Sequence, residues 1–241
     1  MMDYNLKENI EKSFIDSEQS IFEKLNNFSK YATRQNITTF LVKYEIFKKI
    51  LPIHGSIIEC GVHDGDGLLT FAKLSSIFEP VNYTRKIIGF DTFNGFPALD
   101  TKDTGTTEEF KEMGKKGGMA IDSFSDIQNC IRNFDHDRSV SHIKKVELIK
   151  GDVKNTIPEF LQENPHTVVS LLYLDFDIYE PTKIAIENFL PRMPKGSVIA
   201  FDELNNETWH GETIAVMESI GIKNLRIERF PYDSRISYAI L

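Results

Sequence analysis

The stretch LLYLDFDIYEPT, residues 171–182, runs as an apolar strand into two carboxylates, Asp175 and Asp177, two positions apart. Side chains alternate faces along a strand, so positions i and i+2 point to the same side. A second acid pair, Asp202 and Glu203, closes the apolar run GSVIAFDE. If the two strands are neighbours they lie about 4.8 Å apart. Carboxylates that close must share protons or neutralise a cation. Clustered oxygens suit a hard divalent ion such as Mg2+ or Ca2+, and the lack of paired His or Cys nearby argues against zinc. The competing reading is local: each acid caps a helix by accepting backbone N–H bonds.

Five apolar segments, SIIECG, KIIGFD, KVELIKGD, VVSLLYLD and GSVIAFDE, carry an acid at or near the end: Glu59, Asp91, Asp152, Asp175 with Asp177, and Asp202 with Glu203. Helical patterns fall near residues 68–76, 123–134, 156–162, 180–190 and 211–220. Near-continuous apolar strands joined by helices predict a parallel sheet covered on both faces. LRIERF and SYAIL predict an antiparallel hairpin at its edge, for seven strands in all. In such sheets ligands bind beyond the carboxyl ends of the strands, where all five strands deliver their acids.

The first strand leads into a glycine loop that fits two templates. As GVHDGDG (61–67) it has the spacing of short-chain dehydrogenases, and Tyr179 with Lys183 supplies a YxxxK. As ECGVHDG (59–65) it matches the acid-x-Gly-x-x-x-Gly loop of class I methyltransferases. Glu59, Asp64 and Asp66 would repel a pyrophosphate, whereas S-adenosylmethionine brings a sulfonium and an ammonium. Pro181 and Thr182 mark the YxxxK as a helix start, which disfavours a catalytic Tyr–Lys pair. Asp91, about thirty residues beyond Gly61, is placed to accept hydrogen bonds from ribose hydroxyls. A cation among the later acids would orient an acceptor and acidify its hydroxyl beside the methyl donor. Asp177 is then the candidate base, with Asp175 in the metal shell and His210 the rival base.

The N-terminal region, residues 1–52, reads as a helical extension, with one helix over about 5–31 and another over about 37–50. Residues 53–241 read as the catalytic domain, in which 92–122, rich in Gly, Thr and charge, is a candidate lid. A net charge of −8 without any basic run predicts no nucleic-acid partner. Cys60 and Cys130 alone make neither a disulfide framework nor a zinc site. The lack of a signal-like start or a long apolar run predicts a cytoplasmic protein without a membrane partner.

Taken together, IIECGVHDG, IIGFDTFNGFP, LIKGD, LLYLDFDIYEPT and VIAFDELN resemble the macrocin O-methyltransferase (TylF-like) family from about Arg34 to the last helix. The resemblance implies a Rossmann-like class I methyltransferase that uses S-adenosylmethionine and Mg2+ on a hydroxyl of a sugar or natural-product-like small molecule. It implies that Glu59, Gly61 and Gly65 line the cofactor, that Asp91 holds its ribose and that Asp152 lies near the adenine. Asp175, Asp202 and Glu203 would bind the metal, and Asp177 would be the base. The family often has two aspartates where this chain has Asp202-Glu203. The resemblance also implies a homodimer or higher homo-oligomer built with the N-terminal helices and the lid. The other readings are an NAD(P)-dependent sugar oxidoreductase and a non-catalytic cofactor-binding protein on the same scaffold.

Overall fold

A computed structural model describes residues 5–241. Contacts divide the chain into one unit up to Leu41 and a second from Val42 onward. In the first unit, α1 (Leu6–Asp16) and α2 (Ile21–Asn26) replace the single helix expected over 5–31. Ser20 causes the break. Its side chain accepts from the Glu23 N–H while the Glu23 carboxylate accepts from the Ser20 N–H, a reciprocal cap that restarts the helix. The Lys24 ammonium donates to the Phe14 carbonyl at 2.5 Å and ties the two helices together.

The division falls inside α3 (Arg34–Ile50). From Val42 on, this helix buries Val42, Ile46, Phe47 and Ile50 completely, at the i, i+4, i+8 spacing of one helix face. The second unit is a seven-stranded sheet of β1 (Ser56–Cys60), β2 (Ile87–Asp91), β3 (Val146–Lys150), β4 (Val169–Leu174), β5 (Val198–Phe201), β6 (Glu228–Arg229) and β7 (Ser237–Ile240). Its order is β3-β2-β1-β4-β5-β7-β6. The first five strands are parallel, while β7 pairs antiparallel with both β5 and β6. The expected hairpin is therefore present, with β7 as its inner strand.

Alternation along β4 builds both layers of the core. Leu171 and Tyr173 pack with residues of α3, α4 (Asp66–Phe78) and α6 (Phe124–His136). Leu172 and Leu174 face the opposite layer, with α7 (Val153–Glu163), α8 (Tyr179–Phe189) and Val216 of α9 (His210–Ser219). Among the described residues no helix is long and apolar enough to cross a membrane.

Candidate active site

The chain leaves β1 toward β2 and returns to β4 on the other side, so the strand order reverses between β1 and β4. The ladder here continues past the strands: the Asp175 N–H donates to the Cys60 carbonyl at 2.8 Å, and the Asp202 N–H to the Leu174 carbonyl at 3.1 Å. Asp175 and Asp202 therefore sit side by side, as adjacency of the fourth and fifth strands requires. Gly61 joins the glycine loop to this edge. A Cβ there would stand 1.9 Å from the Asp175 carbonyl oxygen, and its φ of +92° is a conformation that side chains rarely adopt.

Asp91 closes the loop from the other side. One of its oxygens accepts the N–H groups of Val62 and His63 at 2.8 and 2.9 Å, and the other accepts that of Phe93 at 2.7 Å. An ionised carboxylate offers about four lone-pair sites, so one remains for a ribose hydroxyl. Gly65, with φ +82°, packs against Ile127. Asp152 caps α7 by accepting the Lys154 N–H at 3.0 Å, beyond β3 at the far edge of the sheet and two strands from β1. Gly61, Asp175 and the Asp202-Glu203 pair thus follow the neighbouring strands β1, β4 and β5, while Asp91 and Asp152 follow β2 and β3, joined where the Gly151 N–H donates to the Asp91 carbonyl at 2.9 Å.

The acids of β4 and β5 lie in a poorly solvated, negatively charged setting. Asp202 and Glu203 are buried, and Asp175 and Asp177 are half-buried. Burial, then the carboxylates of Asp202 and Asp177, hold the Asp175 carboxyl well above the usual range. Burial, then Glu203 and Asp202, do the same to Asp177. Burial and Asp202 push Glu203 up to about 7. The Arg235 guanidinium stands 3.9 Å from Asp202, and the buried Lys43 ammonium also attracts Asp175 and Asp202. Among the described residues no three His, Cys, Asp or Glu side chains stand in an arrangement that would hold a metal ion. The donor set is still the chemistry a hard divalent ion selects: crowded oxygens whose charge is under-compensated. Asp177 has φ +63°, and Phe93, His63 and Asn205, just beyond β2, β1 and β5, are also left-handed. Such strain in non-glycine residues concentrates at functional sites.

The expected lid is a folded segment. Its Phe96 and the side chain of Phe110, from α5 (Glu108–Met113), each meet the Trp209 ring edge-on at 5.4 Å. Asp103 accepts the Tyr179 N–H at 2.7 Å. His210 is held to this segment through a 2.9 Å contact between its Nδ1 and the Thr104 hydroxyl. The YxxxK pair is structural: the Tyr179 hydroxyl donates to Glu218 at 2.6 Å and accepts from Lys183 at 3.1 Å.

With this geometry in place, comparison with known proteins is decisive. The profile of the TylF, macrocin-O-methyltransferase, family matches residues 44–220. The chain belongs to that family. The crystal structure of CalS11, described as calicheamicin methyltransferase, superposes with a TM-score of 0.92 at 32% identity, covering 98% of this chain and 91% of that one. An apo structure of CalS11, described as a TDP-rhamnose 3'-O-methyltransferase, gives 0.83 at 32% identity, covering 98% and 92%. The O-methyltransferase NovP shares the fold, with a TM-score of 0.63 at 18% identity over 85% of this chain and 79% of its own. A curated relative from Streptomyces olivaceus, 8-demethyl-8-(2,3-dimethoxy-alpha-L-rhamnosyl)-tetracenomycin-C 4'-O-methyltransferase, is 24% identical over 152 residues. The match covers 63% of this chain and 53% of that protein, so it spans about half the length of this curated relative.

This member of the family carries site residues that motif spacing does not expose. Lys43 of α3 is buried and donates to Asp66 at 2.7 Å, beneath the glycine loop. Burial opposes its charge, but the attraction of Glu59, Asp66 and Asp175 outweighs burial and raises its pKa. Tyr173 of β4 donates to Asp202 at 3.2 Å. Glu212 of α9 is fully buried and accepts the Glu203 N–H at 2.9 Å, fixing the backbone at the second acid pair.

Glu59 lies under the loop, 2% exposed, with its Oε2 atom unpartnered. Burial pushes its carboxyl up to about 8, against the pull of Lys43. A carboxyl whose folded-state pKa is raised stabilises the fold below its unfolded value of about 4.3 and loses that contribution as pH climbs through the folded value. Between about pH 4.5 and 8, Glu59 should therefore remove stability as pH rises, by about 1.4 kcal/mol per unit. Denaturant titrations at pH 5, 6, 7 and 8 should show a shallower decline for Glu59→Gln than for the wild type. Parallel profiles would mean that Glu59 ionises freely in the fold.

Proposed function

We propose that the protein is an S-adenosylmethionine-dependent O-methyltransferase that methylates a hydroxyl of a sugar, assisted by a hard divalent cation such as Mg2+. The observation that carries this reading is the row of under-compensated carboxylates on adjacent strands β4 and β5, with Gly61 of the cofactor loop packed directly against Asp175. The sugar-directed names of CalS11 and the tetracenomycin relative support the acceptor class.

S-adenosylmethionine supplies the electrophilic methyl group. Gly61 and Gly65 let the loop backbone approach it closely. Asp91 holds the loop and offers its remaining lone pair to the ribose, while Glu59 and Lys43 support the loop from below. Asp175, Asp202 and Glu203 would hold the cation, which when bound polarises the acceptor hydroxyl and lowers its pKa. Asp177 takes the hydroxyl proton as the new O–CH3 bond forms. Burial beside other carboxylates makes it a stronger base than a solvated aspartate. The lid, through Phe96, Phe110 and Trp209, covers the start of α8 and α9 and limits water near that proton transfer.

A ligand that binds only the folded state raises stability by about 2.7 kcal/mol at one hundred times its Kd. S-adenosylmethionine at millimolar concentration should therefore raise the melting temperature by several degrees, and NAD(P)H should not. Methyl transfer to deoxysugar acceptors should disappear in EDTA and return with Mg2+. A shift with NAD(P)H alone favours the oxidoreductase reading, and full turnover in EDTA removes the cation from the mechanism.

A further inference from the structure

A cavity of about 570 Å3 opens beside the second acid pair. Leu204 and Asn205, the residues after Glu203, form one wall, and Thr213 of α9 another. The β6–β7 edge closes it with Arg229, Ser234 and Arg235. Its size suits a drug-sized ligand, and it sets arginine side chains beside the acid pair. The protein carries a net charge of −8, yet this cavity presents two guanidinium groups. Its carboxylate, Glu228, is already engaged, by the Arg226 Nε at 2.9 Å and by the Tyr238 hydroxyl at 3.0 Å. The hydroxyls of Thr213 and Ser234 and the Asn205 amide add neutral donors.

Arg235 connects the cavity to the chemistry. The Asp233 carboxylate accepts the N–H groups of Arg235 and Ile236 at 2.9 and 2.8 Å and fixes the turn that presents the guanidinium. Its Nη1 stands 3.9 Å from Asp202, an ion-pair distance too long for a hydrogen bond. The N–H fork is therefore uncommitted, and forks of this kind match phosphate oxygens in pairs. Ile222 and Ile227 give the cavity an apolar wall against which a nucleobase can lie.

We propose that this cavity binds the nucleoside diphosphate half of a nucleotide-activated sugar, with Arg229 and Arg235 on the pyrophosphate and the sugar ring extending past Asp202 toward Asp177. The proposal rests on the reading of the acid cluster as the methyl-transfer site and selects between two acceptor forms found among relatives. CalS11 is described as acting on TDP-rhamnose, whereas the tetracenomycin relative is described as acting on a rhamnosyl group already attached to its aglycone. A finished glycoside offers no anion to Arg229, which has no ion-pair partner among the described residues, whereas Arg235 already faces Asp202. In the step, the sulfonium S–CH3 bond breaks as the sugar O–CH3 bond forms. S-adenosylhomocysteine leaves neutral at sulfur, and Asp177 takes the hydroxyl proton. The product, a nucleoside diphosphate O-methyl sugar, must then be consumed by a glycosyl transfer that releases the nucleoside diphosphate.

The test titrates thymidine diphosphate into the full-length protein saturated with S-adenosylhomocysteine, read by calorimetry, for wild type, Arg229→Gln and Arg235→Gln. Both arginines are exposed, so the variants should keep the wild-type fold and affinity for S-adenosylhomocysteine. The expected result is wild-type binding weakened at least tenfold by each substitution. With thymidine-diphosphate-rhamnose as acceptor, Arg229→Gln should raise KM at least tenfold while kcat at saturation changes less than twofold. Failure of the wild type to bind thymidine diphosphate, or equal binding by all three proteins, overturns the proposal. If S-adenosylhomocysteine binds in those experiments, the methyltransferase reading survives and only this assignment falls; if it does not bind, both fall.

Discussion

Asp177→Asn should lower kcat for methyl transfer by about 10²–10⁴-fold, the range that a positioned general base contributes, and leave S-adenosylmethionine affinity within about twofold. The amide cannot accept the hydroxyl proton, but it occupies the same volume on the same left-handed backbone. The substitution also removes one member of a repelling set: Glu203 and Asp202 both raise the Asp177 carboxyl. The variant should therefore be at least as stable as wild type at pH 8. Lost turnover with retained or increased melting temperature separates a catalytic role from a structural one. A loss under fivefold would remove Asp177 from proton transfer. A large loss accompanied by unfolding would show that the carboxylate is needed for the fold.

Gly61→Ala should be the most damaging single methyl addition in the cofactor loop. The new Cβ would meet the Asp175 carbonyl oxygen at 1.9 Å and the carbonyl carbon at 2.6 Å, both backbone atoms that cannot rotate away. Backbone strain at positive φ costs about 1–3 kcal/mol, and overpacking costs about as much again. Because the clash pushes on the β4 acid, the effect should reach both the methyl donor and the cation. S-adenosylmethionine affinity and the response to Mg2+ should fall together, with a drop in urea midpoint. Gly117→Ala is a useful contrast: it also has positive φ, but a Cβ there meets no atom within 4 Å. If Gly61→Ala behaves like Gly117→Ala in stability and cofactor binding, the loop does not approach β4 as described.

Periodicity made the acidic carboxyl edge legible because a parallel sheet translates local pattern directly into position. An apolar run that ends in an acid delivers that acid to the carboxyl edge, wherever the strand falls in the sheet order. Asp175 and Asp202 became neighbours as soon as β4 and β5 paired. The break between α1 and α2 was also written locally, in the Ser20-x-x-Glu23 capping box, but the helical spacing of the apolar residues on either side obscured it. Lys43, Tyr173, Glu212 and Arg235 were hidden for a different reason. Each comes from a separate element, and each matters through a partner 9 to 33 positions away, a pairing that only tertiary structure creates. Lys43 did leave a weak trace, a lysine between Val42 and Tyr44 on a helix whose buried face includes Ile46 and Phe47. Glu59 and Asp91 were recognised by type, yet much of their role lies in the loop backbone and the buried lysine, contacts that residue spacing does not describe.

The most direct test of the acid cluster is titration of Mg2+ into the complex with S-adenosylhomocysteine, followed by calorimetry, in wild type and Asp202→Asn. One equivalent of Mg2+ bound by wild type, with affinity reduced at least tenfold in Asp202→Asn, is the predicted result. No binding to wild type, or the same affinity in both proteins, would contradict it.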